Sequence, residues 1–260
     1  MKRAASKHLS DETRPSGSQT LLRGLDLVDA VAEGPLVLAE LALRLGLSRS
    51  TTHRLANALV ERRYLLWTPR SGYRLGPKLL DLGSRAQRQV DLVQVARPYV
   101  EALAQRSGDT VHLGILSGDR ALYLDKIAGG RRIEISSRVG ERQPLTTTGL
   151  GKALLLDEGA DAWAARFAAE NGDGDGAEWR TRMERYAAAG HAFDLEENED
   201  RIRCVAAPIR GVGGAIAGAI SVSGAAQYMD DERMGALSAD VRATAAAISA
   251  DLGWSDGKEE

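Results

Sequence analysis

Cys204 is the only cysteine in 260 residues, so no disulfide can form within the chain. Four histidines are scattered without the spacing of a metal cluster, and neither a metal nor another cofactor is expected. No apolar run approaches the roughly 18 residues that a membrane span needs. The first residues carry charge but no apolar core, so no secretory leader is expected. Aromatic residues make up only 5%, so the cores must be built from Leu, Val, Ile and Ala. These absences exclude a disulfide-stapled scaffold and a helical membrane protein. They lead to the expectation of a soluble protein of the reducing cytoplasm. The hydrophobic fraction of 43% is ample for folded cores, and the length suggests two domains.

The formal charge of −2 conceals an asymmetry. Residues 1–90 hold 15 Lys and Arg against 8 Asp and Glu, a net +7, and the remainder is net −9. A basic first third on an acidic body implies an anionic partner for that third.

Residues 1–18 are polar, contain Pro15 and Gly17, and read as a disordered tail. A helix follows from about Gln19, with Leu21, Leu25, Leu27, Val28 and Val31 as its apolar face, until Gly34-Pro35 stops it. A short helix covers about Leu38–Leu45. Gly46 ends it, since glycine most easily takes the left-handed conformation. Ser48 suits the N-cap of a third helix running to about Arg63. Two short strands then flank the turn signal Pro69-Arg70-Ser71-Gly72. Pro77 opens a further helix expected to run past Val90 as a linker over 77–92.

Three helices and a hairpin, spanning 19–76, match a winged helix-turn-helix. In that motif the start of the second helix of the pair enters the major groove. Here that stretch is Ser48, Arg49, Ser50, Thr51, Thr52, His53 and Arg54, with Leu47, Leu55 and Leu59 facing the domain. Short hydroxyls and a guanidinium read base edges or grip phosphates. His53 serves equally well as a solvated surface residue, and Arg54 as the partner of a phosphate or of a carboxylate in its own domain. Arg70 at the hairpin tip is placed to touch a phosphate or the minor groove.

From 93 onward strands and helices mix, giving an α+β class overall. After a helix at about Val93–Ser107, "TVHLGIL" and "ALYLDKI" alternate as strands do, with Val111, Leu113 and Ile115 on one face. "RIEISSRVG", Arg132–Gly140, is expected as another strand. "NGDGDG", Asn171–Gly176, reads as a flexible loop, and an Ala-rich helix closes the chain over about Asp231–Leu252. "IRCVAAPIR" and "AIAGAISVSG" are expected to pair. Each has one greasy face and one face of small, partly polar side chains: Cys204, Ala206 and Pro208 in the first, Ala217, Ala219, Ser221 and Ser223 in the second. Such a face suits either a ligand cavity or a closely packed helix. A helix starting near Gly149 would aim unsatisfied N–H groups at an anion, with Thr146–Thr148 capping it or adding hydroxyls.

The order of elements, with "LAELALRLGLSRSTTHRLANALVERRYL", "GYRLGPKLLDLG", "PLTTTGLGKALL", "DLEENEDRIRCVAAPI" and "GAISVSG", resembles the isocitrate-lyase-regulator (IclR) family of bacterial transcription factors over about Ser18–Gly253. The resemblance implies a C-terminal GAF-like domain, here 93–260, that binds a small metabolite and oligomerises. It implies Gly149, Leu150, Asp194, Cys204, Ser221 and Ser223 as effector contacts, joined by Thr148 from the capping argument. Leu150 stands where the family pattern often has Ala. Asp194 repels a carboxylate and suits an effector's hydroxyls, or else caps local backbone.

Enzyme motifs fail. "GLGK" is followed by Ala153, and Thr146 stands where a phosphate loop needs its first Gly. "GVGGAIAG" has Ile216 where a dinucleotide fingerprint needs Gly or Ala. Cys204 paired with His112 or His191 is the remaining catalytic alternative, against which a lone cysteine in an apolar strand reads as inert packing. The expected function is a metabolite-responsive regulator, a repressor of a catabolic operon. It binds a pseudo-palindromic double-stranded operator as a homodimer or homotetramer and responds to a sugar acid or keto acid. A constitutive DNA-binding protein without an effector is the other alternative.

Overall fold

The computed structural model describes residues 18–132, 135–172 and 176–254. The chain divides after Gln89 into two compact units. The polar tail up to residue 17, and residues 173–175 of the glycine-rich loop, lie outside the described residues.

The first unit holds helices α1 (Gln19–Ala30), α2 (Leu38–Arg44) and α3 (Arg49–Glu61), strands β1 (Leu65–Thr68) and β2 (Gly72–Leu75), and helix α4 (Pro77–Gln89). Gly46 follows α2 at φ +62°, the left-handed turn expected between the helix pair. Ser48 caps α3, its Oγ accepting from the Thr51 N–H at 3.2 Å. Leu27, Val31, Leu41, Leu55, Leu65 and Tyr73 form the core, with Leu47 and Leu59 packed against it. The hairpin register is Leu65↔Leu75 to Thr68↔Gly72. This is a winged helix-turn-helix. Two expectations change. Leu21 and Leu25 on α1 are 66% and 53% exposed, so the apolar stripe of that helix is wider than the core it covers. Helix α4 stops at Gln89 instead of running past Val90, because Asp91 starts a new helix by accepting from the Val93 and Gln94 N–H groups.

The second unit is a six-stranded antiparallel sheet with helices on both faces. The strands are β3 (Thr110–Ser117), β4 (Arg120–Ile127), β5 (Arg142–Gln143), β6 (Ala192–Leu195), β7 (Ile202–Arg210) and β8 (Ile216–Ala225), in the order β5-β4-β3-β8-β7-β6. Helices α5 (Leu92–Ser107) and α9 (Asp231–Asp251) cover one face; α6 (Gly149–Leu154), α7 (Ala160–Asn171) and α8 (Ala177–Ala189) lie on the other. Val205, Ala207, Ile209, Ile220 and Val222 pack under α5 and α9, as the greasy face of the paired strands requires. Trp163, Trp179 and Met183 close the opposite core around Leu150.

"RIEISSRVG" is not a strand where it is described. Ile133 and Glu134 lie outside the described residues, and Ile135–Gly140 form no ladder. The carbonyls of Ile135 and Ser137 find another partner: Lys126 Nζ donates to them at 2.6 and 2.7 Å. A side chain thus supplies the partners that a neighbouring strand would have given.

Candidate functional sites

Helix α3 exposes one side only. Ser48, Arg49, Ser50, His53 and Arg54 are exposed and Thr51 is half-buried, while Thr52, Leu55 and Ala56 are buried. Four of the polar residues have local roles. Ser48 Oγ bonds to Thr51 and lies 3.1 Å from Ser50 Oγ, and the His53 ring lies 3.3 Å from Asn57 Nδ2. Thr52 is a correction. Its side chain is fully buried and its Oγ1 donates to the Ser48 carbonyl at 3.0 Å, so it belongs to the domain core and not to a groove-facing edge. Arg49 has no hydrogen bond or ion pair among the described residues. Arg70 is exposed at the hairpin tip with φ +70°, a conformation that costs a non-glycine residue about 1 kcal/mol. A glycine there would be easier, so the guanidinium is not present for the turn's sake.

The second site is a cavity of about 190 Å³ on the α6 side of the sheet. Thr148, Asp194, Cys204 and Ser223 line it, as expected. His112, Tyr123, Ser136, Ser137, Glu141 and Asn198 line it too and were not singled out as effector contacts. The register brings these distant residues together: Cys204 pairs with Ser223, and Ser223 with Thr110, which sets His112 two residues along the same face. The small-residue face divides into two parts. Cys204 and Ser223 open onto the cavity, whereas Ala206 and Ala219 belong to the core that includes Leu150, Ala153 and Leu154 of α6.

Three expected contacts, Gly149, Leu150 and Ser221, do not line the cavity. Ser221 is 1% exposed and does not line the cavity, and the Leu150 side chain is buried in the core against Gly114. Gly149 is there for closeness: a Cβ would stand 2.5 Å from Cys204 Sγ and 3.2 Å from the Asp194 nitrogen. Gly149→Ala is expected to destabilise the domain by about 1–3 kcal/mol through overpacking. Adding Cys204→Ala should recover part of that loss in urea denaturation, since the thiol is the nearest obstacle.

Thr148 is the N-cap of α6, accepting from the Gly151 N–H at 3.0 Å and donating to the Pro144 carbonyl at 2.6 Å. Asp194 Oδ1 accepts from the Glu197 and Asn198 N–H groups at 2.8 and 3.4 Å, so its capping role is real, and it faces the cavity as well. Burial pushes the Asp194 carboxyl up to about 6, against the backbone N–H of Glu197 and the Lys152 charge, which lower it. His112 stacks on Tyr123 at 4.8 Å, and its Nε2 lies 2.7 Å from Ser137 Oγ. Burial, helped by the nearby Lys126 charge, holds its pKa down at about 3, so the ring is neutral. Burial, with Asp194 nearby, pushes the Cys204 thiol up to about 12. A thiol so reluctant to ionise beside a carboxylate is a poor nucleophile, which argues against the Cys204 enzyme reading. A larger groove of about 680 Å³ runs between the end of α8, β7 and α9, but seven of its thirteen lining residues are alanines.

Among the described residues no helix is long and apolar enough to cross a membrane, and no group of three or more His, Cys, Asp or Glu is placed to hold a metal ion.

Residues 20–69 match the model of the IclR helix-turn-helix domain, and residues 84–250 match that of the bacterial transcriptional regulator IclR C-terminal domain. The chain is 31% identical over 253 residues to the HTH-type transcriptional regulator XynR of Escherichia coli, covering 91% of this chain and 98% of that protein. It is 28% identical over 257 residues to the DNA-binding transcriptional repressor YiaJ of the same organism, covering 94% and 91%. The crystal structure of the Agobacterium tumefaciens repressor BlcR superposes with a TM-score of 0.79 at 24% identity, covering 92% of this chain and 99% of that one. The families and relatives matched are regulators and not enzymes, so the basic first third has its partner in DNA. The chain belongs to the IclR family of bacterial transcriptional regulators and carries that family's DNA-binding helix-turn-helix domain.

Proposed function

We propose that this regulator is an effector-responsive repressor of a catabolic operon, acting in the cytoplasm. Its C-terminal cavity takes a small polyhydroxylated organic acid, a sugar acid or a hydroxylated keto acid. The observation that carries the reading is the cavity's lining. Hydroxyls of Tyr123, Ser136, Ser137, Thr148 and Ser223, the His112 ring and the carboxylates of Glu141, Asp194 and Glu199 converge on about 190 Å³. Among the described residues no Lys or Arg side chain lines it, so the ligand's own carboxylate must point away from Glu141, Asp194 and Glu199. Many hydroxyls with carboxylate acceptors suit a ligand rich in OH groups. The volume is below that of drug-sized sites, which favours a small molecule. YiaJ, described as a repressor, supports the sign of the regulation.

Dimerisation is proposed on the surface of the first unit. Helix α4 has no buried residue although it carries Leu79, Leu80 and Leu82, and Leu80 is 77% exposed. Together with Leu21 and Leu25 of α1, this leaves more apolar surface than an isolated DNA-binding domain needs. A two-fold dimer reads a pseudo-palindromic operator through paired α3 helices. Ligand control then requires the acid to bind one arrangement of the DNA-binding units more tightly than another.

The test is a thermal-shift panel of sugar acids, keto acids and aromatic acids, followed by operator release with whichever acid raises the melting temperature. No shift with any acid would leave a constitutive DNA-binding protein. With the acid so found, Ser223→Ala is expected to weaken the response by about tenfold, the worth of a hydrogen bond. Ser221→Ala should leave it unchanged, because Ser221 is buried and not in the cavity's lining. Equal effects at the two serines would place the site elsewhere.

A further inference from the structure

We propose that Lys152 is a positioning residue of the effector cavity: its buried ammonium pins helix α6 to the turn between β6 and β7, and so holds two cavity walls together. The role as a cavity wall rests on the effector reading; the pin itself is tested without any effector.

Lys152 is 1% exposed, which for a charged side chain demands a reason. Its Nζ donates to the Phe193 carbonyl at 2.9 Å and pairs with Glu197. The other Glu197 oxygen meets Arg182 Nη2 of α8 at 3.0 Å. The Glu197 N–H bonds to Asp194 Oδ1, and Thr147 Oγ1 donates to Asn198 Oδ1 at 3.1 Å. The turn 194–198 is thus fastened to the α6 segment at both ends. Thr148 enters the cavity from the α6 side; Asp194, Asn198 and Glu199 enter it from the turn side. A Leu or Met in place of Lys152 would fill the same core volume without a charge to satisfy. The ammonium ties the position of the turn to that of the helix, because a turn that moved away would leave a buried cation unpaired.

Cys204 reports on this directly. It is the only cysteine, it is 5% exposed, and its Sγ sits against Gly149 in the first turn of α6. It lines the cavity but is almost wholly covered, so reagent reaches it faster when helix and turn part. The Lys152 charge lowers the Cys204 pKa. Losing that charge alone would therefore slow alkylation, whereas opening would speed it, so access and charge predict opposite signs.

The experiment measures alkylation of the full-length protein by iodoacetamide at one fixed pH, with global stability from urea denaturation. Lys152→Met is expected to react about tenfold faster than wild type, beyond any rise in its globally unfolded fraction. Glu197→Gln, which keeps the cation but weakens its partner, should give a smaller increase. The double variant should react no faster than Lys152→Met alone, since both break one link. An unchanged or slower rate in Lys152→Met overturns the proposal, as does a rise no larger than its global unfolding accounts for. Should Lys152→Met fail to fold, an unchanged rate in Glu197→Gln overturns it alone. A failed acid panel removes the effector reading and leaves the alkylation result standing.

Discussion

Arg49→Ala is expected to lower operator affinity by at least tenfold, and by up to about a hundredfold per recognition helix, at a fixed salt concentration. The Ser48 side chain fixes where α3 begins, so Arg49 becomes the first helical residue and stands exposed at the end of the helix proposed to enter the groove. Arg49 has no partner among the described residues, so removing it breaks nothing within the domain. A guanidinium lost from a guanine costs about 1–3 kcal/mol and relaxes specificity at that position. One lost from a phosphate weakens all sequences alike and reduces the salt slope by about 1. A dimer loses both copies, so the effect on the full operator is roughly the square of the single-site factor. Shift assays at several salt concentrations, with operator and with unrelated DNA, separate base from phosphate contact. Thr52→Val is the control on the same helix. It removes a buried hydroxyl bonded to the Ser48 carbonyl, so it should lower stability and leave operator affinity unchanged once the folded fraction is accounted for. Arg49→Ala binding as well as wild type, with Thr52→Val binding poorly, would sink the assignment of the recognition face.

That contrast also shows where sequence reasoning ends. Gly46, the Ser48 cap and the spacing of Leu47, Leu55 and Leu59 locate the helix pair from local chemistry alone. Splitting seven consecutive polar residues into an outer and an inner set needs the exact phase of α3. Thr52 falls inside because it stands four residues after the cap, where its hydroxyl reaches the Ser48 carbonyl. The cavity was half legible for a related reason. Cys204 and Ser223 lie in strands whose two-residue period is plain, and Asp194 and Thr148 in turns with capping chemistry. His112 reaches the cavity through a pairing more than a hundred residues apart, with Ser221, and Tyr123 and Ser137 join it through β4 and the segment that follows. No local pattern encodes such a register. One signal was available: His112 and Thr110 alternate with Val111 and Leu113, so β3 carries polar groups on the face opposite its core. "RIEISSRVG" misled because alternation specifies a strand only where a neighbouring strand completes the ladder. Beside Ile135 and Ser137 stands the Lys126 ammonium instead.

Asp194→Asn is expected to stabilise the folded protein at neutral pH while impairing its response to the effector. In the folded state the Asp194 carboxyl titrates near 6, against 3.8 for the unperturbed group, because burial penalises its charge. Between those values the folded state holds a proton that the unfolded chain has already lost. Stability from this group is therefore full below about pH 4, falls as pH rises to about 6, and stays reduced above that. Two pKa units correspond to about 3 kcal/mol, which bounds the penalty at neutral pH. Asparagine keeps an Oδ1 to accept from the Glu197 and Asn198 N–H groups, so the turn retains its cap. It carries no charge to desolvate. At pH 7.5 the variant should melt a few degrees higher than wild type, and below pH 4 the two should converge. On the proposed effector reading the ligand loses a charged acceptor for its hydroxyls, worth about 1.5–3 kcal/mol, so operator release should need at least tenfold more of the acid. Urea denaturation of both proteins from pH 4 to pH 8 checks the first half, and titrated operator release checks the second. A variant less stable than wild type at pH 7.5 would mean that the charge of Asp194 is satisfied in the fold. A stabilised variant with an unaltered response would mean that the carboxylate is buried there for some purpose other than the effector. Gain and loss together would identify Asp194 as a group whose desolvation the fold tolerates because the ligand uses it.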